Sequence, residues 1–148
     1  MSDMAQFITA IPKAELHVHI EGTVEADLLL TIADRNGIAL PYKSAADILA
    51  GQNKGKSDPK QNLDSFIEGL DVCRSVLRRG RDYEEITYGY LKRCQIEKIV
   101  YAEVMFDPQQ GLRQGVSIEA QLEALQSGSL AGARDFGVAV QWLSLIHI

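Results

Sequence analysis

Residues 99–106 read Ile99-Val100-Tyr101-Ala102-Glu103-Val104-Met105-Phe106, with one charge in eight positions. Alternation along an extended chain puts Ile99, Tyr101, Glu103 and Met105 on one face and Val100, Ala102, Val104 and Phe106 on the other. A strand that is apolar on nearly both faces suits a parallel sheet covered by helices. Asp107-Pro108 ends the strand, because proline cannot donate to the ladder. This reading sets the fold class as α/β.

Working back from it, Ala14 to Ile20 alternates more cleanly. Glu15, His17 and His19 fall on one face, and Leu16, Val18 and Ile20 on the other. Gly22-Thr23 breaks that strand. A helix is expected from about Val24 to Asn36, capped by Thr23, stopped by Gly37, and buried through Leu28, Leu29 and Ile32. Ser44 with Asp47 reads as a capping box for a short helix to about Ala50. Gly51 to Lys60 is polar and rich in breakers, hence a surface loop or lid. Asn62 is expected to cap a helix with Phe66, Ile67, Leu70, Cys73 and Leu77 on one stripe. Asp82 and Glu85 open another, with Tyr83, Ile86, Tyr90 and Cys94 inward.

Downstream, Ser117 to Ala133 is expected to be a helix with Ile118, Leu122 and Leu125 inward, and Gly137 to Leu143 a third strand. Three parallel strands are fewer than a (β/α)₈ barrel needs, and such a barrel runs to roughly 250 residues. The 148 residues therefore read as the first part of a larger single domain.

Composition narrows the functions. The formal charge is -5 and no run of Lys and Arg exceeds two, which argues against a nucleic-acid partner. Met1 to Ala10 shows no signal-peptide pattern, and the most apolar stretch, Leu28 to Ala33, is far short of a membrane span of about 20 residues. Cys73 and Cys94 lie far apart in helical segments and read as buried free thiols, pointing to a cytoplasmic address.

Two of the three histidines are His17 and His19. At i and i+2 of one strand, two imidazoles project the same way and can share one zinc ion. Taken alone, the pair reads more readily as two satisfied polar residues near a strand end.

The surrounding residues resolve that choice. Pro12-Lys13-Ala14-Glu15-Leu16-His17-Val18-His19-Ile20-Glu21-Gly22 resembles the opening motif of the adenosine/adenine deaminase family. Tyr101 to Pro108 resembles the family's second-strand motif at the expected distance. The resemblance covers about Ile11 to Trp142. It implies an incomplete TIM (β/α)₈ barrel, comprising about three strands with a helical insertion after the first.

It further implies Zn2+ as cofactor, held in part by His17 and His19, and a small-molecule purine as substrate. The implied reaction converts adenine to hypoxanthine and ammonia. Glu21, with Ile20 to Thr23, Arg35 to Ile38 and Phe106 to Gln109, is similar to the adenine branch, and the alternative is adenosine to inosine. Glu21, Gly22, Phe66 and Ile67 match substrate-side positions, with Leu63 and Leu70 on the same apolar helix. The other readings are a carboxylate without a ligand at Glu21 and core packing for that helix. Glu15 and Glu103, read as inward-facing, are expected either to orient metal ligands or to make structural hydrogen bonds.

The family pattern also calls for a third zinc histidine, a His-Ala-Gly-Glu segment, a further histidine and a late Asp pair. None follows here, and His147 sits in no matching context. Lacking them, the chain carries no catalytic residue of its own and is expected to be inactive by itself. Leu143 to Ile148 matches one translated frame of a transposon sequencing adaptor, so the natural chain is expected to continue past about Trp142. A binding protein that keeps the fold without catalysis is the remaining reading of another class.

Overall fold

The computed structural model describes residues 3–52 and 59–145. In chain order the elements are α1 (Asp3–Ala10), β1 (Lys13–His19), a 3-10 turn (Ile20–Gly22), α2 (Ala26–Asn36), α3 (Ala45–Gln52), α4 (Pro59–Val76), α5 (Gly80–Glu97), β2 (Ile99–Phe106), α6 (Pro108–Arg113), α7 (Ile118–Phe136) and β3 (Ala139–Ser144). The three strands form one parallel sheet in the order β1-β2-β3. Each crossover carries helices, as parallel pairing requires. The helices α2 to α5 between β1 and β2 are the expected insertion. The order and the all-parallel sheet agree with the first part of a (β/α)₈ barrel.

β2 occupies the expected residues, and its Ala102, Val104 and Phe106 are buried under the helices. Tyr83, Ile86, Tyr90 and Cys94 of α5 meet them in one core with Ile20, Leu29, Ile32, Val76 and Leu77. Each such large side chain contributes about 1.5–3 kcal/mol by leaving water. Both cysteines are buried and free.

Helix α7 lies against α5 through small residues. A Cβ on Gly128 would stand 2.8 Å from the Glu84 carbonyl oxygen and from Thr87 Cβ, and one on Gly132 would collide with Leu91. This close approach turns Gln121, Ala124, Leu125, Gly128 and Gly132 inward. Leu125 is buried as expected, but Ile118 and Leu122 stay exposed, against the sequence reading. Backbone proximity decided the face here, and apolar periodicity did not.

Other local expectations shift for identifiable reasons. Thr23 does not cap α2: its hydroxyl donates to the Ile20 carbonyl at 2.9 Å and closes the 3-10 turn, leaving Glu25 at the cap without a side-chain bond. Ser44 does cap α3, accepting from the Asp47 N–H at 3.2 Å, while the Asp47 carboxylate reaches the Lys43 N–H instead of Ser44. Pro59 stands in the first turn of α4, where its missing N–H costs nothing, so Asn62 lies inside the helix. Of the expected loop over 51–60, residues 51–52 and 59–60 are helical, and 53–58 lies outside the described residues, as does His147. α1 and α6 had no strong periodic signal; α6 is capped by Asp107, whose side chain accepts from the Gln109 and Gln110 N–H groups.

Among the described residues no helix is long and apolar enough to cross a membrane.

Candidate metal centre

Parallel strands bring all their C-terminal ends to one edge of the sheet, which is where His17 and His19 lie. Their approach to that edge is irregular. Glu15 pairs with Ala102 and Val18 with Val104, so β1 carries one residue more than β2 between those pairs. His17 absorbs the difference with φ of 64°, a left-handed conformation in which histidine is enriched among non-glycine residues. Such a bulge re-aims side chains and is common next to functional sites.

Strict alternation is therefore broken. Glu15 shares the helix face with Ala102, and its Oε2 accepts the Tyr90 hydroxyl at 2.8 Å. The expectation that Glu15 faces inward beside the histidines is corrected. His19 pairs with Met105 on the opposite face, and the His17 and His19 rings stand edge to face, 5.6 Å between centroids. Glu103 does face that side with Tyr101, whose hydroxyl donates to its Oε1 at 3.1 Å.

His19 Nδ1 is buried and has no hydrogen-bond partner among the described residues. Burial chiefly, then His17 and Arg74, lower the His19 pKa below its ordinary value, which keeps the ring neutral and able to donate a lone pair. An orphaned nitrogen beside a second imidazole fits two ligands of a zinc site. Among the described residues no group of three or more His, Cys, Asp and Glu side chains converges as a metal would need. Two imidazoles are fewer protein donors than the three or four of a zinc site.

Glu21 is buried on the turn that follows His19, 1% exposed. Its Oε1 accepts the Asp107 N–H at 2.7 Å and its Oε2 has no partner among the described residues. Burial raises its pKa above the usual carboxylate range, partly offset by that hydrogen bond. Asp107 follows the last residue of β2, and Arg74 of α4 comes within 3.8 Å of its Oδ2. Gly22 completes the turn; a Cβ there would stand 3.2 Å from Leu70 of α4, so the bare backbone lets the helix seat on the turn. One helical turn before Leu70, Phe66 and Ile67 are exposed at 57% and 46%, with Leu63 beside them, while Leu70 is buried. Core packing does not account for the first three.

The sequence reading singled out neither Arg74 nor the Asp107 N–H. Arg74 sits beside Cys73 at the edge of a buried stripe, a position where a charge is a signal in itself.

A family model described as adenosine deaminase matches residues 12–147. The chain is 35% identical over 133 residues to the adenine deaminase of Rhodospirillum rubrum, covering 90% of this chain and 38% of that protein. It superposes on the adenine deaminase of Arthrobacter aurescens with a TM-score of 0.79 at 32% identity, covering 91% of this chain and 39% of that one. A cog1816 amidohydrolase from Burkholderia ambifaria, solved with bound Zn, gives 0.77 at 28% identity over 94% of this chain and 36% of that one. The chain thus spans less than two fifths of the length of each of these relatives.

Proposed function

The chain belongs to the adenosine deaminase family, and from that premise we propose that it is the N-terminal part of a zinc-dependent enzyme that hydrolyses adenine to hypoxanthine and ammonia. The observation that carries this reading is the His17–His19 pair, aimed to one face at the C-terminal edge of the sheet, in a chain similar over nine tenths of its length to adenine deaminases.

His17 and His19 would hold the zinc, and zinc when bound makes a water acidic enough to supply hydroxide at neutral pH. The chain's own residues do the preparatory work. His17 bends the strand so that both rings face the open side of the sheet. His19 stays neutral because burial disfavours its charged form. Phe66 and Ile67 offer an apolar surface for one side of a flat heterocycle, which such sites need beside a few placed polar groups. The proton donor to the ring and the remaining ligands belong to the continuing polypeptide. This chain alone is accordingly inactive and binds zinc weakly. The names of the relatives support adenine over adenosine as the substrate, and a cytoplasmic location accords with the two free thiols.

The test has two arms. Sequencing the gene past the Trp142 codon should reveal a His-Ala-Gly-Glu segment and an Asp pair. The whole protein, loaded with zinc, should release ammonia from adenine and much less from adenosine. A stop codon directly after Ile148 in genomic DNA, or ammonia from adenosine alone, overturns the corresponding part of the proposal.

A further inference from the structure

The backbone ladder between β1 and β2 ends at the pair His19–Met105. Two residues further on, the Glu21 carboxylate receives the Asp107 N–H at 2.7 Å. A side chain thus continues the connection between the two strands after their backbones have parted. The bond is shielded, since Glu21 is 1% and Asp107 7% exposed. A buried hydrogen bond to a carboxylate has no water to replace it and is worth more than a neutral one.

Both ends of this bond are anchored. The turn bearing Glu21 is closed by the Thr23 N–H and hydroxyl on the Ile20 carbonyl, at 3.1 Å and 2.9 Å, and Ile20 is fully buried. Asp107 is held by its own capping of α6 and by Arg74. Displacing Glu21 would therefore shift His19, two residues away along a tight turn. Restraints of this kind around metal ligands are worth roughly 10–100-fold in metal affinity.

We infer that Glu21 is a positioning residue of the metal centre, fixing the exit of β1 against the exit of β2 through the Asp107 N–H, and is not a contact to substrate. The inference rests on the reading that His17 and His19 hold zinc.

The whole protein is compared with Glu21→Gln, which keeps an oxygen for the Asp107 N–H, and Glu21→Met, which fills the same space without an acceptor. Zinc affinity is read by competition with a chromophoric chelator, alongside the unfolding temperature of the metal-free protein and KM for adenine. Glu21→Met should weaken zinc by about 10–100-fold, with Glu21→Gln within a few-fold of the parent. An unchanged zinc affinity in Glu21→Met overturns the inference, whether KM rises, as for a substrate contact, or only the unfolding temperature falls, as for a purely structural residue. Equal losses in both variants also overturn it, since charge and not the acceptor would then matter. If Glu21→Met does not fold, Glu21→Gln decides: a tenfold or greater loss of zinc sinks the inference, and near-parental affinity together with unchanged KM upholds it. A parent protein that binds no zinc, or binds it equally well after His17→Ala, instead refutes the metal reading itself.

Discussion

Tyr90 donates its hydroxyl to Glu15 at 2.8 Å on the helix face of β1, while His19, four residues along, faces the other side of the sheet. In a regular strand those two positions would share a face. Tyr90→Phe should destabilise the whole protein by about 1.5–3 kcal/mol, the worth of a hydrogen bond to a charged group, and leave zinc affinity unchanged. Urea denaturation and zinc titration check the two parts. A loss of zinc would return Glu15 to the metal site.

Phe66 projects into solvent from α4 and supports no core. Phe66→Ala should change stability by less than about 0.5 kcal/mol and raise KM for adenine by at least about tenfold. Steady-state kinetics on the whole protein read this directly. An unchanged KM would detach α4 from the substrate.

Arg35 bridges Asp82, which is fully buried, and Glu85. Asp82 also accepts from the Arg78 and Arg79 N–H groups and from Asn36, so it remains partly satisfied without the guanidinium. Arg35→Leu should cost about 3 kcal/mol, the lower end for stripping one partner from a buried pair.

The same contact carries a pH dependence. Hydrogen bonding to Arg35 holds the Glu85 pKa below its ordinary value. A depressed carboxylate contributes stability above its unfolded pKa, near 4.3, and that contribution is lost as pH falls through the depressed folded value. Acid denaturation curves of Arg35→Leu should therefore flatten below about pH 4.3. An acid limb as steep as the parent's would count against the assignment.

Gly132 lies where α7 touches Leu91 of α5. Gly132→Val should overpack this contact and cost about 1–3 kcal/mol, seen as a lower denaturation midpoint. A neutral outcome would mean the two helices are free to separate.

Leu122, Leu125, Leu130, Val140 and Trp142 line an open apolar groove between α7 and β3. Beyond it, β3 pairs only with β2 among the described residues and leaves an edge for further pairing. The 148-residue chain expressed alone should self-associate, as uncovered apolar surface and strand edges do. Sedimentation showing a monodisperse monomer would refute this.

By itself the sequence determined the class of fold and pointed to the residues proposed for the chemistry. The apolar run of β2, broken only by Glu103, suited a strand covered by helices, and the deaminase-like motif around His17 and His19 singled them out as the proposed metal pair. Both are local patterns, one in the eight residues of β2 and one in the eleven residues from Pro12 to Gly22. Tertiary structure decided which way those patterns face. A one-residue bulge sent Glu15 to the helices and kept His19 on the open side, and no period in the sequence records a bulge. The backbone contact of Gly128 turned α7 so that Gln121 went inward and Leu122 outward. Glu21 found its partner in an N–H group 86 residues away. Partners of this kind exist only once the chain has folded, because backbone groups look the same at every position of a sequence.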